Sequence, residues 1–520
     1  MKTLLTTLSL VLFGVASVAA IDRPLPPDVL SALDSAASNR PELEKVLAHY
    51  RAPEDSLKFL AACFLIGNME GHSYVTYALL DSAANEIPFE ALNYNDFDSL
   101  ERAYGSLEKQ HGVLDFKKKL VTEDLVSIMG DFLIENIDYA FRAWQERPWA
   151  RALTFDQFCR YVLPYRGSNE PLDPWRAAFF EQYADVVSNL ADSTDAIAAA
   201  DLINEQVMSW FKFDSRYYYH PTDQGLTEMQ RDKAGRCEDM TNLTIYAMRA
   251  NGLAVTSDYT PFWADCGNNH AWNAILVPGG KVIPFMGAEA NPGEYALAHR
   301  LAKAYRKTYE KHPENLMFQK RKQEKAPGWL GGKNYIDVTA AYTKTCDVTI
   351  SLASPVPDSV DIAYLCVFNS GQWQAIQWGR IADTKATFAA MGTNVAYLPA
   401  YYLNQKVVPA GALLILHDDC TMTFLAADST KTSTVQLLST EKVKLESDAD
   451  GVIKSALKPG TEYELFFWDG DWKSVGKAVA TDRPLVFDKL PANGLYWLTA
   501  IGSNKEERIF TIDGVTQVWW

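Results

Sequence analysis

The sequence is short of cysteine, of basic residues and of long apolar runs, and each shortage excludes a class of protein. Seven cysteines in 520 residues, with no CxxC pair and no zinc-ligand spacing, argue against a disulfide-rich scaffold or a metal site. Lys and Arg number 49 against 65 Asp and Glu, and the resulting net charge of -16 argues against a nucleic-acid partner. No later stretch reaches the ~20 apolar residues that cross a membrane. We therefore expect a soluble protein without a metal, another cofactor or a membrane span.

The N-terminus carries a pattern of a different kind. It reads MKTLLTTLSLVLFGVASVAA, with one Lys, an apolar run and small residues up to Ala20. This pattern is typical of a secretory signal peptide, and the apolar run is too short for a membrane anchor. We expect a signal peptide over residues 1–20 and a mature protein that is exported, either to the periplasm or to the extracellular space or cell surface.

Length and periodicity predict a multidomain protein, because 520 residues exceed what one hydrophobic core organises. Apolar residues spaced by three and four predict an α-helical N-terminal region over residues 21–200. An α+β unit follows over residues 201–335, in which a helix precedes short strands. Within this unit, residues 299–325 are predicted to form a basic linker helix, and PGG at 278–280 a hairpin turn.

The remainder of the chain contains an internal repeat. Seven residues recur 99 positions later without a gap, which predicts two tandem all-β sandwich modules over residues 336–430 and 431–520. The pairs are Tyr364 and Tyr463, Phe368 and Phe467, Trp373 and Trp472, Phe388 and Phe487, Asn394 and Asn493, Tyr397 and Tyr496, and Lys406 and Lys505. The two tryptophans lie at turns, where they could stack on a sugar or pack the edge of each sandwich. A DxDG spacing at 446–453 lacks the other ligands of a calcium loop and predicts a β-turn.

The motif GRCED, residues 235–239, carries the first chemical signal. Cys237 stands where a turn gives way to a helical pattern, and the dipole of a helix favours the thiolate in its first turn. The backbone N–H of Cys237 can face an oxyanion there, and Gly235 allows close approach of the chain. His270 follows 33 residues later at the start of a predicted strand. Cys237 and His270 therefore form a candidate pair of nucleophile and base.

These motifs resemble the transglutaminase-like superfamily of papain-type cysteine enzymes over about residues 201–295. The resemblance rests on GRCED, on the following helix that ends in RANGLAV, and on NHAWNAILVPGGKVIPF. It implies a papain-like core in which Cys237 attacks an amide carbonyl and His270 serves as general base and then general acid. The implied protein is an exported cysteine amidohydrolase or peptidase acting on a peptide or glycopeptide, and acyl transfer to an amine stays open.

One residue of the family pattern is missing. The family usually places an Asp or Asn about 15 or 16 residues after the His, where it orients the imidazole. Phe285 and Met286 occupy these positions and cannot do so. Glu289 is the tentative orienting residue, and a backbone carbonyl is the other option. The alternative function is therefore a weak or inactive transglutaminase-like scaffold that binds a glycan or a protein.

Several further residues could complete or silence the site. Gln230 has a side chain suited to stabilising an oxyanion, and a disulfide between Cys266 and Cys237 would block the nucleophile. The helical N-terminal half resembles the extension of some exported bacterial members of the family. Two of its residues, His72 and Arg166, lie in Gly- and Pro-flanked segments and could line the cleft or serve ordinary surface or capping roles.

Overall fold

The computed structural model describes residues 24–277, 280–353, 355–445, 453–503 and 506–520. The predicted signal peptide, most of the PGG turn, nearly all of the DxDG segment and Lys505 of the repeat lie outside these residues. Within the described ranges, no helix is both long and apolar enough to cross a membrane. The chain is helical at first, then α+β, then rich in β-sheet, which confirms the predicted multidomain fold class.

The helices are α1 (Pro27–Ser35), α2 (Arg40–His49), α3 (Ser56–Asn68), α4 (Phe97–His111), α5 (Gly130–Glu146), α6 (Phe155–Tyr161), α7 (Arg176–Gln182), α8 (Ala196–Met208), α9 (Leu226–Asp232), α10 (Cys237–Ala250) and α11 (Leu316–Gln319). The strands are β1 (Ser73–Leu80), β2 (Asp115–Glu123), β3 (Lys212–Phe213), β4 (Ala234–Gly235), β5 (Val255–Thr260), β6 (His270–Leu276), β7 (Val282–Phe285), β8 (Tyr305–Lys307), β9 (Tyr335–Asp337), β10 (Thr345–Ser351), β11 (Ile362–Asn369), β12 (Gln372–Ala382), β13 (Lys385–Gly392), β14 (Val395–Leu403), β15 (Lys406–Pro409), β16 (Leu413–Leu416), β17 (Met422–Leu425), β18 (Asp428–Leu437), β19 (Glu462–Trp468), β20 (Trp472–Val479), β21 (Leu485–Ala492), β22 (Tyr496–Ala500), β23 (Ile509–Asp513) and β24 (Thr516–Trp519).

The N-terminal region is helical, as predicted, except for one antiparallel ribbon. The helices α1, α2, α3 and α5 pack around a core that includes Leu43, Phe59 and Leu133. Between α3 and α5 the strands β1 and β2 pair along their whole length, which corrects the prediction of helices throughout this region. The sequence of β1, SYVTYALL, is rich in the aromatic and β-branched residues that favour strands.

A buried helix and an antiparallel sheet form the α+β unit. The sheet has five strands in the order β7-β6-β5-β8-β9, and α10 packs against β5 and β6 on one side and against α5, α7 and α8 on the others. Every residue of α10 except Glu238 is buried as a result. The helix that carries the candidate nucleophile is therefore held by both the sheet and the N-terminal helices.

The predicted linker helix at 299–325 is wrong. This segment contains the strand β8, which pairs with β5 and β9, and only the short helix α11. Lys303 is fully buried beside Asp337, and the Tyr305 hydroxyl donates to the Ile376 carbonyl at 2.6 Å. Residues 301–306 are all buried, and carboxylates inside the protein pair with Lys303 and Arg306, so the basic residues of this segment do not need a solvated helix.

The C-terminal region consists of antiparallel sheets whose pairing order recurs. The strands β10 to β17 form one eight-stranded sheet, whereas β18 to β24 form a two-stranded and a five-stranded sheet. The order β12-β11-β14 in the first returns as β20-β19-β22 in the second. The Tyr397 hydroxyl donates to the Gly392 carbonyl, and Tyr496 repeats this contact with Pro491. Strand β18 spans the predicted boundary at residue 430, and the division of the chain at particular residues stays a prediction.

One disulfide is present among the described cysteines. It joins Cys346 on β10 to Cys420 in the turn after β16. The other five cysteines are free thiols, and all of these except Cys266 are buried. The disulfide therefore closes the first β module and leaves the candidate nucleophile unbonded.

Candidate functional site

Cys237 is the first residue of α10 and only 4% exposed. The chain reaches it through Gly235, where an added Cβ would lie 2.6 Å from the Cβ of Asp239 and 2.7 Å from Nε2 of Gln224. The Asp239 carboxylate accepts the Arg236 N–H at 3.0 Å and the Gln224 N–H at 2.9 Å. Glycine is thus required by the close approach, and the buried carboxylate fixes the turn that presents the cysteine.

The Cys237 thiol lies between a carboxylate and the start of β6. Its Sγ donates to Oε2 of Glu238 at 3.0 Å, and the backbone N–H of Ala271 contacts the sulfur. Burial, followed by the negative charge of Glu238, raises the pKa of the thiol well above its usual value. The N–H of Ala271 and the charge of Arg236 lower the pKa, but by less than burial and Glu238 raise it. The resting group is therefore a protonated thiol.

His270 begins β6 and shares neighbours with the thiol. Its Nε2 lies 2.5 Å from the Tyr295 hydroxyl oxygen, and its ring lies between Trp263 and Trp272 with centroid distances of 5.8 and 5.9 Å. Burial lowers the pKa of His270, although the Glu238 charge opposes this shift. Glu238 and Tyr295 are thus coupled to both His270 and Cys237. A neutral imidazole, the form that can accept a proton, is favoured.

The residue against Nε2 of His270 is Tyr295 and not Glu289. Phe285 and Met286 are buried in the core, and the chain then turns tightly, with Met286 pairing with Ala290. Glu289 is exposed at this turn, and no hydrogen bond joins its carboxylate to His270 among the described side chains. Tyr295 follows in a segment without helix or strand, so no periodicity or family spacing pointed to it. Its only sequence signal is a tyrosine in NPGEY, residues 291–295, which follow the turn after β7.

The structure also places two further candidate residues, Gln230 and Cys266. Gln230 is exposed on α9. The glutamine buried beside Gly235 is instead Gln224, which no sequence motif indicated. Cys266 and Cys237 are both free thiols, so they do not form a disulfide.

Cys266, Asp265 and His299 could together hold a metal ion, because one ligand atom from each lies within 4.8 Å of the others. Asp265 and His299 are 34 positions apart, so no short ligand spacing in the sequence indicates this group.

His72 and Arg166 line a cavity of about 290 Å³ with other residues. Both are engaged by neighbours: Nε2 of His72 lies 2.9 Å from the Tyr309 carbonyl oxygen, and Arg166 donates to Asp124 through Nε at 2.6 Å. The His72 contact joins the N-terminal region to the segment after β8, whereas the Arg166 pair lies within the N-terminal region. Neither residue contacts Cys237 or His270 through a described hydrogen bond.

Both β modules anchor the loop that precedes His270. The Asn369 side-chain amide donates to the carbonyls of Trp263, Cys266 and Asn268 at 2.9 to 3.1 Å. Arg508, buried at 3% exposure, donates to the carbonyls of Ala264 and Cys266 at 2.7 and 3.3 Å. The modules thus contribute to the geometry of the site, a role that their β-sheet patterns did not predict.

A cleft of about 450 Å³ adjoins this site. The residues that line it flank both candidate catalytic residues and include one face of the β1–β2 ribbon. They are Ser73, Val75, Tyr77, Lys118, Ser168, Asn169, Tyr218, Pro221, Thr222, Asp223, Arg236, Glu238, Asn268, Asn269, Lys307 and Trp329. Glu238, which contacts the Cys237 thiol, is one of these residues, so the cleft reaches the immediate neighbour of the candidate nucleophile.

Residues 184–286 match the family model described as the transglutaminase-like superfamily. The matched segment contains α8, α9, α10 and β5 to β7, and hence Cys237 and His270. The chain therefore carries a transglutaminase-like core domain, as the motifs predicted, and this core is followed by β-rich modules. The comparison with curated proteins found no match. A cysteine hydrolase or an acyltransferase is the class of activity that such a core supports.

Proposed function

We propose that the protein is an exported cysteine hydrolase, an amidohydrolase or peptidase, with Cys237 as nucleophile and His270 as general base and acid. The observation that carries the proposal is the corner where α10 meets β6. There a thiol in the first helical turn and an imidazole at the start of a strand share Glu238 and Tyr295 as neighbours. The N-terminal pattern supports export.

In the proposed reaction, His270 takes the thiol proton as the sulfur of Cys237 attacks the amide carbonyl carbon. The tetrahedral oxyanion is stabilised by the N–H of Cys237, because the first N–H groups of a helix have no intrahelical acceptor. His270 then gives its proton to the leaving amine as the C–N bond breaks, and a thioester remains. Water, deprotonated by His270, releases the acid and restores the thiol.

Tyr295 serves as the positioning residue in this proposal. A phenol oxygen that accepts Nε2–H leaves the Nδ1 lone pair free to act as base, which is the tautomer that an orienting carboxylate would enforce. The hydroxyl lies 2.5 Å from Nε2, within hydrogen-bonding distance. Tyr295 thus supplies a hydrogen bond where Phe285 and Met286 cannot.

The substitution Tyr295→Phe is expected to slow alkylation of Cys237 by iodoacetamide about ten- to hundredfold, because the imidazole loses its fixed orientation. The second-order rate constant is followed across pH by peptide mass. A merely structural role would leave the shape of that pH profile unchanged. Tyr50→Phe is the matched control, since it removes a buried hydroxyl bonded to Asp138 in the N-terminal region. Faster alkylation in Tyr295→Phe would instead show that the phenol obstructs the site.

The substitution Glu238→Gln is expected to lower the pKa of Cys237. The Glu238 charge raises that pKa, so its removal increases the thiolate fraction below the thiol pKa. The alkylation rate at neutral pH should rise severalfold, and the rate–pH curve should move to lower pH. Glu228→Gln, on α9, is the control. An unchanged curve for Glu238→Gln would contradict the coupling.

The alternative function, a binding scaffold, draws support from the resting thiol, whose hydrogen-bond partner is Glu238 rather than the imidazole. Its proposed carbohydrate contact stays a prediction, and both tryptophans line a cavity of about 620 Å³. Trp373 is 8% exposed, and both it and Trp472 pack edge-on against Phe368. Iodoacetamide labelling distinguishes the two functions, because a scaffold without chemistry has no thiol whose reactivity depends on His270.

A further inference from the structure

The walls of the cleft beside Cys237 indicate the substrate class. On one side, Ser73, Val75 and Tyr77 are alternate residues of β1 and therefore share a face. Lys118 of β2 lies directly opposite Tyr77 in the pairing register and extends this face. The N-terminal ribbon thus forms a wall of the cleft, opposite residues that flank the candidate nucleophile.

Only one lysine of the run KKK, residues 117–119, lines the cleft. Lys117 pairs with Asp115, and Lys119 pairs with Glu86 at 2.9 Å. Lys118 points to the cleft and has no carboxylate partner among the described residues. The strand therefore presents one unpaired cation to the cleft and keeps its neighbours in surface ion pairs.

Both carboxylates that line the cleft, Asp223 and Glu238, already form ion pairs. Arg236 lies between them, with its guanidinium 2.9 Å from Asp223 and 3.4 Å from Glu238. Although burial opposes it, the charges of Arg236 and Lys307 hold the pKa of Asp223 at about 2. Lys307 Nζ also donates to the Ser168 hydroxyl at 2.5 Å. The lining thus carries three cations against two carboxylates, in a protein whose net charge is -16.

Neutral groups complete the cleft. Asn169, Asn268 and Asn269 offer amide donors and acceptors, while Tyr218 and Trp329 offer apolar faces. Such a mixture suits an extended peptide, whose backbone needs hydrogen bonds and whose side chains need apolar contact. A free anion alone would not use the aromatic residues.

From these observations we propose that the substrate is an acidic peptide, with a carboxylate close to the scissile amide that pairs with Lys118. This proposal rests on the proposed function, because it takes Cys237 as the nucleophile at the end of the cleft. The cleft is open to solvent, so the attraction is screened by salt and is modest in water. A preference for a carboxylate over the isosteric amide of about two- to fivefold is expected at low ionic strength.

The test uses tetrapeptide fluoromethyl ketones of alanine in which one position, scanned in turn, is either Glu or Gln. Alkylation of Cys237 is measured by peptide mass. At one position the Glu probe should react about two- to fivefold faster, and the preference should disappear in Lys118→Met and in high salt. Lys119→Met is the matched control, because Lys119 is the next residue of β2 and pairs with Glu86 outside the cleft. Equal rates at every position, or equal effects of the two lysine variants, would overturn the proposal.

A binding measurement separates this inference from the proposed function. The same Glu and Gln tetrapeptides, as C-terminal amides, are titrated calorimetrically into the Cys237→Ala protein. Tighter binding of a Glu peptide that requires Lys118 supports the acidic cleft even if no probe alkylates Cys237, in which case only the catalytic role fails. Alkylation without any Glu preference retains the catalytic role and removes the acidic substrate.

Discussion

Substitution of His270 by Gln is expected to slow hydrolysis by about 10²- to 10⁴-fold, the contribution typical of a general base and acid. The thiol is protonated at rest, because burial and Glu238 raise its pKa. Without the imidazole no described group is placed to take its proton except the Glu238 carboxylate. Alkylation of Cys237 by iodoacetamide at neutral pH should therefore fall to the rate of an unactivated buried thiol.

Two variants control this measurement. His299→Gln removes a histidine whose ring is tilted against the same tryptophan, Trp263, at a centroid distance of 5.3 Å, and no hydrogen bond joins it to Tyr295 among the described residues. It should keep nearly the full rate. Cys237→Ala should lose the label from the peptide that contains GRCED. If His270→Gln is labelled as fast as the parent protein, the catalytic pair is wrong and the binding scaffold becomes the better explanation.

The substitution Asp124→Asn is expected to lower the free energy of unfolding by about 3–5 kcal/mol, because it removes the charged carboxylate that is hydrogen-bonded to the buried Arg166 cation. The two side chains are 1% and 2% exposed. The Asp124 carboxylate accepts from Nε of Arg166 at 2.6 Å and from the Tyr165 hydroxyl at 2.9 Å. This pair also supports the site, since Arg249 of α10 donates to the Arg166 carbonyl at 2.8 Å.

The loss is measured from the first urea unfolding transition of the full chain. Glu146→Gln is the control, because it breaks an exposed ion pair with Arg142 of the kind worth at most about 1 kcal/mol. A shift for Asp124→Asn no larger than that of Glu146→Gln would mean that the buried pair is not a major source of stability. Loss of Cys237 alkylation together with the stability loss would show that the pair also holds α10 in place.

Much of the fold was predictable because its signals are local. The helix at Cys237 and the strands β5, β6 and β7 follow from apolar periodicity and turn residues within short windows. The wrong secondary-structure predictions concern segments where the preference of the local sequence conflicts with burial in the folded protein. The helical spacing of the flanking segments predicts helix across the ribbon β1–β2 as well, and the basic residues of 299–325 predict a solvated helix where β8 lies. Burial of Lys303 beside Asp337 satisfies that charge inside the protein.

The same distinction between local and long-range signals applies to the candidate site. The helix start at Cys237 after a glycine and the strand start at His270 follow from the sequence, because both depend on neighbours along the chain. The groups that contact these two residues are known only from the packing of distant segments. Tyr295 reaches His270 from a loop, Lys118 reaches the cleft from the N-terminal ribbon, and Asn369 and Arg508 reach the loop before His270 from two β modules. These contacts join segments far apart in sequence, and long-range packing leaves no regular spacing in the chain that could predict them.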